Sequence, residues 1–457
     1  MIVRKFGGSS LADSERIKNV AHIIQDRQDQ VVVLSAMKGI TNLLIEVSGL
    51  AELGDQSYHE KLENIKNITI KTAHDLSVSQ EKIQEINQLL VELKDILHGI
   101  ELVKECSPRS LDLVSSFGER FSCRLMTGYL LSLGIDATYI DARKLIVTNT
   151  SFNHAAVDSK ATKTKILSQL RNIDKISIMT GFIGATNEGI TTTLGRNGSD
   201  YSASIVGGAL DAEKVEIWTD VDGVLSADPR FVQNAFVINE LSTQEAMELS
   251  YFGAEVIHPS TMLPVVEKNI PIVIKNTLNP SAAGTKIIAN PKRHSNPITG
   301  IASIEKVCMI NVEGGGMIGM PGAASKVFTA LAEADINIVM ISQASSEHSI
   351  CLVCKANEAN LAMETLQTKL QPELQSKLIQ SFDLQKELEI IAIIGENMRG
   401  TPGISGKLFK ALGDAGINVL AIAQGSSERN ISFVIHKSSR NLALNVVHDA
   451  FLGPKGS

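Results

Sequence analysis

Twelve residues, Thr191-Thr192-Thr193-Leu194-Gly195-Arg196-Asn197-Gly198-Ser199-Asp200-Tyr201-Ser202, bring hydroxyls, two glycines, a guanidinium and a carboxylate together. Arg196 can grip a carboxylate or phosphate through two parallel hydrogen bonds. Asp200 can hold an ammonium or a metal ion. An apolar strand-like run at 176–182 precedes the loop, and an Ala-rich helical run starts near Ser202. A Gly-rich loop that opens a helix presents unpaired N–H groups and the positive end of the helix dipole, which suits anions. The combination points to capture of a small zwitterion beside a phosphate.

Four further constellations carry chemistry. Lys5-Phe6-Gly7-Gly8-Ser9-Ser10 ends the first apolar run, where glycines let backbone approach a phosphate and the lysine adds a point charge. It lacks the Gly-Lys-Ser/Thr closure of a Walker A loop. Ser35-Ala36-Met37-Lys38-Gly39-Ile40-Thr41-Asn42 ends the second run and by itself reads as a strand-to-helix turn capped by Thr41 or Asn42. Phe117-Gly118-Glu119-Arg120 interrupts an apolar helical pattern; Glu119 is either a solvated charge or a group aimed at an ammonium. Trp218-Thr219-Asp220-Val221-Asp222-Gly223-Val224, followed by Ala227-Asp228-Pro229-Arg230, reads as a β-turn. It lacks the spaced ligands of a calcium loop. At a strand's carboxyl end, Thr219, Asp220 and Arg230 can instead contact a nucleotide.

These groups need elements to position them. β-rich runs at 2–6, 30–35, 136–140, 176–182, 214–219 and 272–275 alternate with helical patterns such as 14–26 and 199–210. This is the signature of an α/β fold with a mainly parallel sheet. Residues 58–133 carry little strand signal and read as a helical insertion. The apolar pattern breaks at 290–296, which places a linker at 291–306 after a first domain of 1–290.

The remaining residues repeat internally. Lys326, Phe328, Ile336-Asn337-Ile338 and Gln343-Ala344-Ser345-Ser346-Glu347 recur as Lys407, Phe409, Ile417-Asn418-Val419 and Gln424-Gly425-Ser426-Ser427-Glu428, and Pro321-Gly322 as Pro402-Gly403. One constant offset relates all of them. Each copy, 307–384 and 385–457, reads as a βαββαβ ferredoxin-like unit, a pair suited to binding a small molecule between its members.

The totals narrow the classes. A chain of 457 residues holds two to four domains, and 44% hydrophobic with 20% charged residues is ordinary for a globular protein. A net charge of -7 argues against nucleic acid and anionic membrane as partners. Five scattered cysteines fit a reducing compartment. Cys351 and Cys354 form a C-x-x-C, but residues three apart on a strand point to opposite faces, so core burial outranks a metal or redox pair. With no signal-like or membrane-spanning run, the expectation is a cytoplasmic enzyme.

Together the motifs resemble the aspartokinases, members of the amino-acid kinase family, over essentially the whole chain. Lys5–Ser10 is similar to the family's Lys-Phe-Gly-Gly-Ser/Thr-Ser opening, 189–201 to its Thr-Thr-Leu-Gly-Arg signature, 218–228 to its Trp-Thr-Asp-Val-Asp-Gly run, and 252–259 to its Phe-Gly-Ala run. The repeats resemble ACT regulatory units, most like those of threonine-responsive bifunctional aspartokinase–homoserine dehydrogenases. The resemblance implies an αβα sandwich followed by two ACT units, and ATP-dependent phosphorylation of the side-chain carboxylate of L-aspartate with Mg²⁺. It implies that Lys5 neutralises the transferring phosphoryl group while Gly7, Gly8 and Ser9 donate to it. Arg196 clamps a substrate carboxylate and Glu119 its ammonium. Ser35, Thr41, Ser199 and Phe182 line the aspartate site, and Asp200 holds the ammonium or Mg²⁺. Thr219, Asp220, Arg230, Lys275 and Asn276 face ATP. Gln343, Gln424, Asn337 and Asn418 would bind an inhibitory amino acid, threonine with lysine the alternative, in a homo-oligomer, a dimer or higher, assembled through the ACT units. Two departures stand out. Glu255 replaces a lysine common in the family and reverses the charge expected near the nucleotide. The bifunctional enzymes continue into a dehydrogenase, so the expectation is a monofunctional relative or a fragment, and with no dinucleotide-binding Gly-x-Gly-x-x-Gly after a strand no dehydrogenase site is expected in these residues. Rival readings are a glutamate or N-acetylglutamate kinase, and a non-catalytic amino-acid sensor.

Overall fold

The computed structural model describes residues 1–253, 259–291, 296–317, 322–343 and 349–453. Glu255, Pro321 and the 344–347 part of the first repeat motif lie outside them. The chain divides into two compact units. The first comprises Met1–Val224, Val237–Thr243 and Val256–Pro291; the second comprises Leu225–Phe236, Gln244–Glu255 and Lys292–Ser457.

Ten strands are described in the first unit: β1 (Ile2–Phe6), β2 (Gln30–Leu34), β3 (Ala137–Ile140), β4 (Ile176–Thr180), β5 (Ile183–Ala185), β6 (Thr191–Thr193), β7 (Val215–Thr219), β8 (Glu240–Ser242), β9 (Ile272–Asn276) and β10 (Thr285–Ile288). Eight form one sheet in the order β3-β4-β2-β1-β7-β9-β10-β8, and only the β9–β10 pair is antiparallel. β5 and β6 make a separate short hairpin. Strands such as Gln-Val-Val-Val-Leu are buried throughout, as a parallel sheet covered on both faces requires. Alternation sorts their side chains between the faces. Phe6, Val32, Leu34 and Ile178 join a core with the helices Ser14–Ile24 and Phe117–Ser132. On the other face, the helix Gly198–Ala209 comes so close that a Cβ on Gly207 would sit 2.5 Å from Val215.

The helix Ile40–Leu53 precedes the helical insertion expected over 58–133, which is four helices: Ser57–Asp75, Gln80–Val103, Pro108–Ser115 and Phe117–Ser132. Ser79 and Ser107 cap the second and third of these four by accepting from Lys82 and Ser110 N–H groups. The strand expected over 176–182 ends at Thr180, because Phe182 turns to φ +66. The short strands β5, β6, β8 and β10 escaped the sequence reading; three or four residues do not establish a period.

The second unit is built on one antiparallel sheet of β11 (Gly300–Glu313), β12 (Ile338–Gln343), β13 (Ser349–Lys355), β14 (Ser381–Ile394), β15 (Ala421–Ala423) and β16 (Asn430–His436), in the order β12-β13-β11-β14-β16-β15. Two corrections follow. Residues 300–306, expected within a linker, are strand: Gly300 to Ile304 pair with Ile394 to Ile390. The second repeat is also not a complete βαββαβ in sequence, since after β16 it ends in the helix Arg440–Leu452. Its fourth strand is the first part of β11, contributed from upstream of the first repeat. Separate cores back the two halves, Ile310, Leu352 and Leu366 behind one and Ile391, Phe433 and Val447 behind the other. Cys354 lies in the first of these cores while Cys351 is half-buried, consistent with opposite strand faces.

Candidate active site

The order of the first sheet reverses at β1: β2 continues on one side, and β7, much later in the chain, lies on the other. Ligands of open α/β sheets bind outside the carboxyl ends of the strands at such a switch point. A cavity of about 760 Å³ opens here.

Lys5 leaves β1 on the face covered by the helix Gly198–Ala209. Its ammonium lies 2.8 Å from Oδ1 of Asp200 in that helix's first turn, with both side chains largely buried. Among the described residues Asp200 Oδ1 has no aligned hydrogen bond, so the contact is an ion pair. Gly8 lets the following turn pass under the 35–39 loop; a Cβ on it would sit 3.0 Å from the Ala36 carbonyl oxygen.

Glu119 comes from the opposite wall. Gly118 makes this possible, since a Cβ there would meet the Ala36 side chain at 2.6 Å. The Glu119 carboxylate is 3% exposed. Oε1 accepts the Ala36 N–H at 3.1 Å, whereas Oε2 is buried without a partner among the described residues. Burial pushes the carboxyl up to about 8. The sequence left open whether this charge was solvated; the fold places it inside the cavity wall.

The third wall is the loop that carries Arg196. Phe182 holds a left-handed backbone conformation, its N–H donating to Ser202 Oγ at 3.1 Å, and Gly198 packs against its ring. Gly181 allows Ser199 to approach, as a Cβ would lie 2.6 Å from Ser199 Oγ. Such local strain persists only where the surroundings enforce it.

Lys5, Gly8, Ser9, Ser35, Thr41, Glu119, Phe182, Arg196, Ser199, Asp200 and Asp220 all line the cavity. Gly7, Thr219, Lys275, Asn276 and Arg230 do not. Gly7 donates its N–H to the Trp218 carbonyl at 3.3 Å. Thr219 and Asn276 are register partners at the carboxyl ends of β7 and β9. Lys275 stands 5.2 Å from the Trp218 ring centroid, and Asn276 donates to Asp222 at 2.8 Å. Arg230 belongs to the segment 225–236 of the second unit, where Asp228 and Glu305 hold its guanidinium at 2.6 and 3.3 Å. The sequence reading missed Asp112, Asn153, Lys38 and Asn42 as lining residues. Lys38 and Asn42 lay within a quoted motif. Asp112, in Leu111-Asp112-Leu113, and Asn153 carried no signal.

In the second unit, Gln343 ends β12 and Gln424 follows β15. Both are exposed, as are Asn337 and Asn418. The outer strands of the sheet approach each other, Ser342 Oγ donating to the Ile422 carbonyl at 2.8 Å.

Comparisons with known proteins agree with this architecture. A model of the amino acid kinase family matches residues 1–276, and a model of the ACT domain matches 310–370 and 391–451. The chloroplastic bifunctional aspartokinase/homoserine dehydrogenase 2 of Arabidopsis thaliana is 40% identical over 98% of this chain and 50% of its own length. The chain thus spans about half the length of such curated relatives. Aspartokinase 3 of the same plant, also chloroplastic, is 35% identical over 98% of this chain and 81% of its own length. Among solved structures, E. coli aspartokinase III in complex with aspartate and ADP matches with a TM-score of 0.81 at 31% identity, covering 98% of this chain and 99% of that one. The same enzyme with lysine and aspartate also matches with a TM-score of 0.81, at 30% identity and 99% coverage of each chain.

Proposed function

The chain belongs to the aspartokinases of the amino acid kinase family, and on that premise we propose that it transfers the γ-phosphoryl group of ATP to the side-chain carboxylate of L-aspartate. The product is 4-phospho-L-aspartate, which opens lysine, threonine and methionine biosynthesis. The observation that carries this reading is the meeting of Lys5, Asp200, Arg196 and the half-satisfied Glu119 in one cavity at the switch point.

The attacking carboxylate is already ionised near neutral pH, so the reaction needs positioning and charge neutralisation more than a base. A substrate ammonium against Glu119 Oε2 gives that buried oxygen its partner and stabilises the ionised form. Arg196 grips the α-carboxylate. Lys5 lies at the end of β1, where it neutralises charge that develops on the phosphoryl group, and Gly8 and Ser9 offer backbone and hydroxyl donors there. The nucleotide extends along the carboxyl ends of β7 and β9, by Thr219, Asp220, Lys275 and Asn276. Mg²⁺ binds nucleotides through one or two carboxylates plus phosphate oxygens, and Asp200 and Asp220 on the cavity wall fit that requirement. When bound, the ion supplies charge neutralisation across the phosphates.

The second unit acts as the sensor in this reading. An amino acid, threonine before lysine, binds at Gln343 and Gln424 with Asn337 and Asn418 beside them, and the chain assembles as a homo-oligomer through its ACT units. Such an effector inhibits by binding one arrangement of the enzyme more tightly than another. The deciding experiment is ADP release with ATP, Mg²⁺ and L-aspartate, set against glutamate and N-acetylglutamate. No release with L-aspartate would end the functional reading.

A further inference from the structure

We infer that Asp112 is the positioning residue that sets the Arg196 loop against the substrate. The inference takes its substrate from the functional reading above and its geometry from the fold. Asp112 lies in the helix Pro108–Ser115, whose start is held by the Ser107 cap and the proline of its first turn. Its carboxylate is 1% exposed. The Asn153 N–H is shared between its two oxygens at 3.0 Å each. Thr193 donates its N–H to Oδ2 at 2.9 Å and its hydroxyl to Oδ1 at 2.7 Å. Every one of these groups is a donor, which matches an ionised carboxylate that only accepts.

These contacts tie three pieces of chain, the helix Pro108–Ser115, the segment at Asn153 and the strand end at Thr193, to one carboxylate. The β5–β6 hairpin has three residues in each strand, too few to be rigid alone. Asp112 fixes its end at Thr193, and the Ala155 N–H donates to the Thr193 carbonyl at 2.9 Å. The anchored 153–155 segment then presses on Gly195, where φ is +76 and a Cβ would come within 3.1 Å of the Asn153 carbonyl oxygen. Arg196 is the next residue, and the helix that bears Asp200 follows it. A buried carboxylate that loses its donors is strongly unfavourable, so the arrangement resists slack. A plain folding staple would use the same bonds; the difference lies in what fails when they are weakened.

The test uses the full chain with Asp112→Asn, which keeps the shape but turns an amide NH₂ toward donors, and Thr193→Val, which removes one donor. Asp112→Asn should raise KM for L-aspartate about tenfold or more, with KM for ATP little changed. Thr193→Val should act in the same direction more weakly, and the double variant should be no worse than Asp112→Asn alone. Amide exchange at Thr193 and Leu194, and tryptic cleavage after Arg196, should quicken in both variants without a matching fall in overall melting temperature. Equal changes in both KM values, or unchanged exchange at Thr193, would overturn the assignment. Should Asp112→Asn not fold, Thr193→Val decides on the same criteria. If the wild-type chain releases no ADP with L-aspartate, the functional reading falls, while exchange and cleavage still decide the positioning role.

Discussion

The cavity of the first unit and the amide-bearing strand ends of the second differ in what they demand of the fold. The cavity holds ionisable groups under cover: Glu119 and Asp200 are 3% and 6% exposed, and Lys5 reaches Asp200 from a buried strand. The charged form of each is unfavourable to bury unless something compensates it. Gln343, Gln424, Asn337 and Asn418 are exposed amides that water satisfies at no cost. The contrast teaches where physical reading has force. A buried carboxyl with an unpartnered oxygen asks for a ligand, whereas an exposed amide asks for nothing and is singled out only by its repetition.

The sharpest way to break this contrast is Lys5→Ala. If the cavity charges act on the reaction, kcat should fall on the order of 10²-fold or more, with KM for L-aspartate moving much less. A variant with near-normal kcat leaves Lys5 only a structural pairing with Asp200.

Arg196→Lys comes next. Lysine retains the charge and loses the planar fork, so KM for L-aspartate should rise by roughly tenfold while KM for ATP stays nearly constant. Equal rises would make Arg196 a loop anchor.

Glu119 predicts a pH dependence with a definite sign. Its carboxyl is pushed up to about 8 by burial, above the ordinary carboxylate range. Between that ordinary range and pH 8 the empty folded state keeps a proton that the unfolded state releases. Stability of the ligand-free protein should therefore decline as pH rises through this window. An ammonium ligand prefers the ionised form, so affinity for L-aspartate should strengthen by up to about tenfold per pH unit below 8, then level off. Calorimetric titration checks this, and Glu119→Gln should weaken binding and flatten the profile. A slope that survives in Glu119→Gln assigns the titration to another group.

The smallest effects belong to the second unit. Gln343→Ala and Gln424→Ala should each weaken binding and inhibition by threonine, or by lysine, several-fold, the scale of one or two neutral hydrogen bonds. Basal kinetics should be unaffected. Unaltered titrations of both variants would remove these glutamines from the effector site.

Much of the molecule was legible because its signals are local. The central strands declare themselves through runs such as Val31-Val32-Val33, and the positions of Lys5, Gly8 and Arg196 follow from short motifs. The constant offset between the repeats is likewise a property of the chain alone. It determined the α/β and repeat classes, and it put most of the cavity-lining residues in view.

Only the tertiary structure decided which of those residues meet. Lys5 and Asp200 are far apart in the chain and become an ion pair because β1 lies beneath the helix Gly198–Ala209. Asp112, silent in an amphipathic helix, acquires its role from donors on two distant segments. Arg230, close in sequence to Asp220, is drawn with 225–236 into the second unit. The second repeat borrows its closing strand from residues upstream of the first. Motif and period record what a segment prefers by itself. Pairing between distant segments depends on which surfaces bury one another, and no local pattern carries that information.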